Sequence, residues 1–435
     1  MAFQIAPLLM FVILFAIMSL NVPVAFATLL TAIIFCITLW GWSGLGIVFQ
    51  SLWGAMTNWI LASVPLFVFM SLLLEKGGII AELYESFRRL VGSVRGSLAI
   101  ISMILGFVFG MMSGVVAGAV VSMAILLYPI MLKFNYERRF SIGVLLAAGT
   151  LPQIVPPSLN MILYGTVVGV SVASLFAGGF IIGSIMMASF LVYITIWTRL
   201  HKDKVPIIRE RFTLKDKLIA FLYMIGPIAI ISSVLGTIFT GMTTPTEAAG
   251  FGAFASLVYI LVRRKLSWKV LKETLMETLK ITSMAIWMYI GGTTFSAVFA
   301  GVGGKRLLYD LMLSLPYAHT LALILSLIII FILGMFVETG SVIILMGPIL
   351  GPVMEWLGYD PLWWGLVFCA MLQTAFLSPP VGMALFYFKG VHPEVSFDDM
   401  IRSVIPYIIL QIIAVIMIIL FPDLVIIPMK IMMGR

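Results

Sequence analysis

Residues 150–159 read TLPQIVPPSL, and residues 374–383 read TAFLSPPVGM. Each stretch sets a Pro-Pro pair (Pro156-Pro157 and Pro379-Pro380, 223 positions apart) inside an apolar run of helical length. Proline has no backbone donor and its ring collides with the preceding turn, which costs a helix interior roughly 3 kcal/mol or more. Two apolar helices are broken in the same way, and the fold must supply a reason for both.

The composition says what kind of helices these are. Of 435 residues, 62% are hydrophobic and only 10% are charged, against about 25% charged in soluble domains. The mean hydropathy is +1.18. Apolar runs long enough to cross a bilayer core of about 30 Å recur along nearly the whole sequence. The chain reads as an all-α polytopic membrane protein. Its net charge of +8 sits in short connecting segments, as in cytoplasmic loops under the positive-inside rule, so the charge calls for no nucleic-acid partner. Cys36 and Cys369 lie in apolar spans and read as core residues without a disulfide or metal framework. The first apolar stretch, APLLMFVILFAIMSL, lacks a basic leader and a cleavage site, and is expected to be a retained helix.

The punctuation of the chain repeats. NVPVAFA (21–27) aligns with TTPTEAA (243–249) at an offset of 222, and LYPIM (127–131) with LGPVM (350–354) at 223, the offset of the Pro-Pro pairs. The most polar stretch, RLHKDKVPIIRERFTLKDK, separates the two copies. The division is a first repeat over 1–198, a cytoplasmic linker over 199–217 and a second repeat over 218–435. Charge sets their relative orientation. RRKLSWK (263–269) is basic, whereas its counterpart GWSGLGIVF (41–49) is uncharged. Corresponding loops on opposite faces mean an inverted repeat, with about five spans per half and the N-terminus outside.

Each half also holds one long apolar stretch with both ends on one face. Residues 96–132 run from Arg95 to Lys133, and residues 318–354 occupy the matching place in the second half. Both read as re-entrant helical hairpins, with tips near SGVVAG (113–118) and FVETGS (336–341), against the alternative of a pair of full spans, for which 37 residues is tight. The broken helices cover 141–165 and 361–388. Residues 51–75 and 281–300 are expected to be single spans, and 403–422 the last one.

Two tips and two breaks then converge at one depth. Bare backbone is tolerated there only when buried in protein or lining a wet cavity. Broken helices at corresponding places in inverted repeats point to a transport site. Freed carbonyls suit a hard cation such as Na⁺, and the positive ends of half-helices suit an anion. Around the breaks lie the neutral Thr150, Gln153, Ser158, Asn160, Gln373, Thr374 and Ser378, and Glu338 sits at the second tip. Glu247 follows Pro245 and reads as a helix-capping acid. The sequence has no phosphate-binding G-x-x-x-x-G-K-[ST] loop, hence no nucleotide, and no Ser/His/Asp or H-E-x-x-H arrangement in the spans. It is not read as an enzyme.

GTLPQIVPPSLNMILYG (149–165), TTPTEAAG (243–250), GMFVETGSVIILMGPILGPVM (334–354) and the Ser378-Pro379-Pro380 break together resemble the large membrane subunit of TRAP transporters, the tripartite ATP-independent periplasmic class. The resemblance implies an elevator-type transporter in the bacterial inner membrane, taking up a small organic carboxylate with Na⁺. Sialic acid and C4-dicarboxylates are the substrates it suggests. It further implies two partners: a periplasmic binding protein that delivers substrate, and a small four-helix membrane subunit, expected as a separate chain. The remaining surroundings are membrane lipid. Carried over residue by residue, it implies at least two Na⁺ sites. One falls at Ser113, Gly114, Gly118, Thr150, Pro152 and Val155, and the other at Glu338, Thr339, Gly340, Thr374, Leu377 and Ser378. Substrate is expected near Pro156, Ser158, Asn160, Pro380 and Met383. An anion channel, a Na⁺/carboxylate symporter without a binding protein, and a membrane scaffold are the competing readings.

Overall fold

The structure is a computed structural model and describes residues 2–91, 94–207 and 212–434. Among these residues the regular structure is helical. The first half opens with α1 (Ala2–Ser19), α2 (Val24–Trp40), α3 (Leu45–Thr57), α4 (Ser63–Lys76) and α5 (Ile79–Val91). A hairpin follows, made of α6 (Ser97–Ser113) and α7 (Val116–Lys133). The first broken helix is α8 (Arg138–Thr150), a 3₁₀ turn and α9 (Leu159–Val168), and the long α10 (Val172–Leu200) closes the half.

The second half begins with α11 (Leu214–Phe239), α12 (Pro245–Val262), α13 (Trp268–Gly301) and the short α14 (Gly304–Leu313). Its hairpin is α15 (Ala318–Phe336) and α16 (Thr339–Trp356). The second broken helix is α17 (Pro361–Leu377) and α18 (Met383–Val391), followed by α19 (Phe397–Leu420) and α20 (Asp423–Met432). Hairpin, broken helix and long helix thus recur in the same order. The starts of α7 and α16, like those of α8 and α17, stand 223 residues apart.

Nine helical segments among the described residues are long and apolar enough to cross a membrane, or up to ten with the α4–α5 pair, which bends by 62°. Large apolar side chains stay exposed at helical spacing, such as Leu8, Val12 and Phe15 on α1 and Ile409, Ile413 and Ile416 on α19. In a chain this apolar, those stripes face lipid. Cys36 and Cys369 are buried, the core placement the sequence suggested.

Helix starts are fixed by polar caps. Thr244 and Glu247 form a reciprocal capping box at the start of α12, with Pro245 in its first turn. This is the structural role the sequence gave Glu247. Asp360 caps α17 through the amide of Trp363 at 2.7 Å. Ser396 caps α19 through Asp399 at 3.1 Å.

Three spans differ from their sequence expectation. Residues 51–75 are not one helix, because Asn58 leaves the helical region (ψ 105°) and its Oδ1 accepts the amide of Ile60 at 3.0 Å. An asparagine that offers its own side chain to the backbone competes with the helix ladder. Residues 281–300 are only the second part of α13, which runs for 34 residues. Its first four turns carry Lys269, Lys272, Glu273, Glu277 and Lys280, and charge hid their helical continuity. The chain also continues past 422 into α20, which packs against α10.

α19 serves as a ruler for the hairpins. At its start, Asp399 bonds Arg139 at 2.8 Å, beside the base of the first hairpin. Near its end, the carbonyl of Ile418 accepts the indole N–H of Trp363. Trp363 stacks on Tyr359, whose hydroxyl bonds His319 at the base of the second hairpin. At 24 residues α19 is about 36 Å long. The two hairpins therefore start from opposite ends of it.

Candidate functional site

Each hairpin tip lies against the break of its own half. At the first, α6 ends in Gly114, which has φ 57°. A Cβ on Gly114 would overlap the carbonyl oxygen of Pro157, so only glycine permits this approach. The amide of Leu159 reaches the Gly114 carbonyl at 3.4 Å. Gly110, one turn earlier, packs on Pro152 and Val155. At the second junction the amide of Gly382 donates to Met335 at 3.2 Å, while Gly334 abuts Ala375 and Leu372. Both Pro-Pro bonds are cis.

The hydroxyls at the breaks bond locally. Thr150 donates to Ala147 at 2.9 Å, Ser158 to Gln153 at 2.6 Å, Thr374 to Ala370 at 3.1 Å and Ser378 to Thr374 at 2.7 Å. Each remains able to accept or ligate through its other lone pair. Gln153 and Gln373 are buried at the two breaks, and neither amide group has a partner among the described residues. Such orphaned polar groups are uncommon in a folded interior. The donor set at the two junctions is thus hydroxyl, amide and backbone oxygen, which fits a hard monovalent cation better than a transition metal.

The junctions meet across the molecule. Asn160, in the first turn of α9, donates to the Thr339 hydroxyl at 3.0 Å, joining the first break to the second tip. Beside this bond lies a cavity of about 290 Å³. Gly114 and Gly118 wall it from the first tip, Glu338 and Thr339 from the second, and α4 and α13 close the far side. Its size approaches the lower range of small-ligand sites, about 300 Å³.

Three half-helices point their N-termini at this space. α7 (capped by Val115) and α9 (capped by Ser158) have no side-chain cap. The Ser158 hydroxyl is turned to Gln153 instead. The Leu159 amide is taken by the Gly114 carbonyl, and the other first-turn N–H groups of α7 and α9, which have no side-chain cap, are left with the positive dipole ends for a ligand. α16 differs, because Glu338 caps it by accepting the amide of Ser341 at 3.1 Å.

The structure sorts the residues named from sequence. Gly114, Gly118, Asn160, Glu338 and Thr339 line the cavity, although Gly118 faces the carboxylate of Glu75 and not the break. Thr150, Pro152, Val155, Thr374, Leu377 and Ser378 are buried at the junctions. Gly340 sits one residue inside α16 against Met288. Ser113 ends α6, and its side chain lies outside the described residues. Of the proposed substrate residues, Pro156 and Ser158 are buried behind the cavity wall, Pro380 is exposed and Met383 is half-buried. Asn160 is the one of the five that reaches the cavity.

Sequence reasoning missed Glu75, Glu277 and Tyr387, which also line it. Glu75, the last residue but one of α4, accepts the Ser122 hydroxyl of α7 at 2.7 Å. Glu277 on α13 pairs with Lys76 at 2.7 Å. The available signal was the acid-base pair Glu75-Lys76 ending the apolar run FVFMSLLL. Two opposite charges closing such a run need a partner across the fold.

Comparison with known proteins matches this architecture. The chain matches the family "Tripartite ATP-independent periplasmic transporter, DctM component" over residues 11–424. It is 28% identical to the sialic acid TRAP transporter large permease protein SiaM of Vibrio cholerae, over 93% of both chains. With the 2,3-diketo-L-gulonate large permease YiaN of Escherichia coli it shares 25% identity, over 95% of this chain and 96% of that one. With the C4-dicarboxylate large permease DctM of Rhodobacter capsulatus it shares 26%, over 92% and 94%. Among solved structures, the YdaH transporter of Alcanivorax borkumensis superposes with a TM-score of 0.63 over 90% of each chain at 13% identity, a likeness of fold. The chain belongs to the DctM family, the large-permease component of tripartite ATP-independent periplasmic transporters, a multi-pass inner-membrane transport protein and not an enzyme.

Proposed function

We propose that this permease carries a small organic carboxylate inward together with Na⁺, holding the anion in the cavity between the hairpin tips and the cations at the tip–break junctions. One observation carries the reading: the uncapped N-termini of α7 and α9 converge on a 290 Å³ cavity that both hairpins close. Backbone N–H groups and helix dipoles there suit a carboxylate. The same cavity holds Glu75, Glu277 and Glu338. A bare carboxylate beside them is repelled, and the repulsion falls once cations occupy the junctions behind Glu338. That gives Na⁺ a physical reason to bind with the substrate.

The shared element order, with hairpins starting from opposite ends of α19, supports an inverted repeat of 1–198 and 218–435 about the linker. The two hairpins then read as re-entrant, and the transporter as an elevator. Three relatives are named for acids: sialic acid, diketogulonate and C4-dicarboxylates. The substrate is a carboxylate of that size, delivered by a periplasmic binding protein, and the large permease works with a small membrane subunit.

The test is uptake of a labelled acid into proteoliposomes holding the permease and its partner subunit, with binding protein outside. An inward Na⁺ gradient drives accumulation against a concentration gradient, and unlabelled internal substrate stimulates exchange. Flux without such trans-stimulation makes the protein a channel and removes the reading. Uptake that needs no binding protein removes the tripartite part alone.

A further inference from the structure

Away from the transport cavity, a second recess of about 220 Å³ opens among the first turn of α8, the last turns of α10 and the start of α19. Its walls are aromatic. Phe140 stacks flat on Trp197 (centroids 4.1 Å apart, 5° between planes), and Tyr193 meets Tyr407 edge-on at 5.3 Å. Its rim carries three cations, each paired with a carboxylate: Arg139 with Asp399, Lys204 with Glu137 at 3.3 Å and Arg402 with Asp398. The two arginines bond Asp399 and Asp398 through Nε. Among the described residues their Nη groups have no protein partner, and these are the fork that grips phosphate. Tyr407 is 1% exposed and lines the recess beside Tyr193.

The surface beside the recess is apolar. Tyr193, Trp197 and His201 line it along one stripe of α10, and the adjoining stripe of Val192, Ile196 and Leu200 is 53–74% exposed. On α19, Ile405 and Ile409 are exposed next to Arg402 and Pro406. A polar recess flanked by lipid-facing stripes suits a molecule with a charged head and hydrocarbon tails. A free phosphate would gain nothing from the stripes.

We infer that this recess is a binding site for the headgroup of an anionic phospholipid, with the outward Nη groups of Arg139 and Arg402 and the Lys204 ammonium holding the phosphate and the exposed stripes of α10 and α19 carrying the acyl chains. Basic pockets between helix ends recognise such headgroups, and each nearby cation strengthens binding about fivefold.

Phosphatidylglycerol, with phosphatidylcholine as the neutral control, is titrated onto the delipidated full chain in detergent and followed by native mass spectrometry and thermal unfolding. Phosphatidylglycerol should be retained preferentially and raise the unfolding midpoint. Lys204→Gln with Arg402→Gln should weaken retention roughly 25-fold. Arg139→Gln, at the third rim cation, should weaken it about fivefold. Lys269→Gln with Lys272→Gln, a remote exposed pair on α13, should leave it unchanged. Equal retention of phosphatidylcholine, equal loss in the remote pair, or no loss in Lys204→Gln with Arg402→Gln overturns the site. Full displacement by millimolar glycerol phosphate, with equal protection by that soluble anion, overturns the lipid as its occupant.

Discussion

The two tip–break junctions share a motif but not an environment. At the first, Pro156, Pro157 and Ser158 are all buried, and the tip is uncharged backbone. At the second, Pro379 is half-buried and Pro380 exposed, while the tip carries Glu338 as its own helix cap. The first junction is held by steric fit of backbone on backbone. The second is held by a looser contact through Gly382, and among the described residues its Glu338 bonds only within its own tip. Substitutions of the same kind at equivalent places should therefore have unequal consequences.

Gly114 gives the largest difference. Gly114→Ala places a side chain at φ 57° and against the Pro157 carbonyl. The left-handed conformation costs roughly 1–2 kcal/mol and overpacking about 1–3 kcal/mol more. Uptake should be lost and the unfolding midpoint in detergent should fall. Gly382→Ala has φ 52° and a Ser378 oxygen at 2.9 Å, but sits beside an exposed segment that can yield. It should keep measurable uptake. Equal losses in the two variants would erase the distinction between a rigid junction and a compliant one.

Replacing the prolines sharpens the same contrast. Pro156→Ala with Pro157→Ala lets α8 continue toward α9 and removes the uncapped α9 terminus from the cavity, so transport should fall at least about a hundredfold while membrane insertion persists. Pro379→Ala with Pro380→Ala should lower it about tenfold, since the α18 terminus begins outside the cavity lining. Uptake is measured in proteoliposomes and insertion by membrane fractionation. Normal uptake in the first pair would remove the break from the mechanism.

Charge distinguishes the junctions next. Glu338→Gln keeps an oxygen for the Ser341 amide and removes the negative charge at the second tip. The Na⁺ concentration for half-maximal uptake should rise about tenfold, or about 1.4 kcal/mol, well within what one unit charge at close range supplies. The neutral first tip offers no such lever, and Val115→Ala should leave Na⁺ dependence unchanged. An unchanged Na⁺ response in Glu338→Gln would place the second cation elsewhere.

These junctions were legible because sequence marks them with residues of few uses. Arg95, Lys133 and the glycines bounded the first hairpin at 96–132, against Ser97–Lys133 in the structure. The Pro-Pro pairs located both breaks. What stayed illegible was which way side chains turn. Asn160 and Ser158 are two residues apart, yet one reaches the cavity and the other bonds Gln153 behind it. Glu75 meets Ser122 across 47 residues of chain, a relation no local period encodes. The kink at Asn58 was hidden because its capping bond is made by one side chain inside an apolar run. Backbone punctuation is local chemistry, while cavity lining depends on helix rotation, which packing decides.

The smallest expected effect lies where the halves touch. Asn160 and Thr339 share one buried hydrogen bond of 3.0 Å between the first break and the second tip. Its loss should be modest, because one neutral bond contributes about 1 kcal/mol net. Asn160→Ala alone should cost more, since it also removes a cavity-lining amide and leaves the Thr339 hydroxyl without that donor. Thr339→Val preserves shape and removes the hydroxyl. In a double-mutant cycle on the substrate concentration for half-maximal uptake, the coupling should be about 1 kcal/mol, roughly fivefold. A coupling near zero would mean that the two junctions act independently and that the cavity is shared only by proximity. A coupling of that size would make the bond the link through which occupancy at one tip is felt at the other.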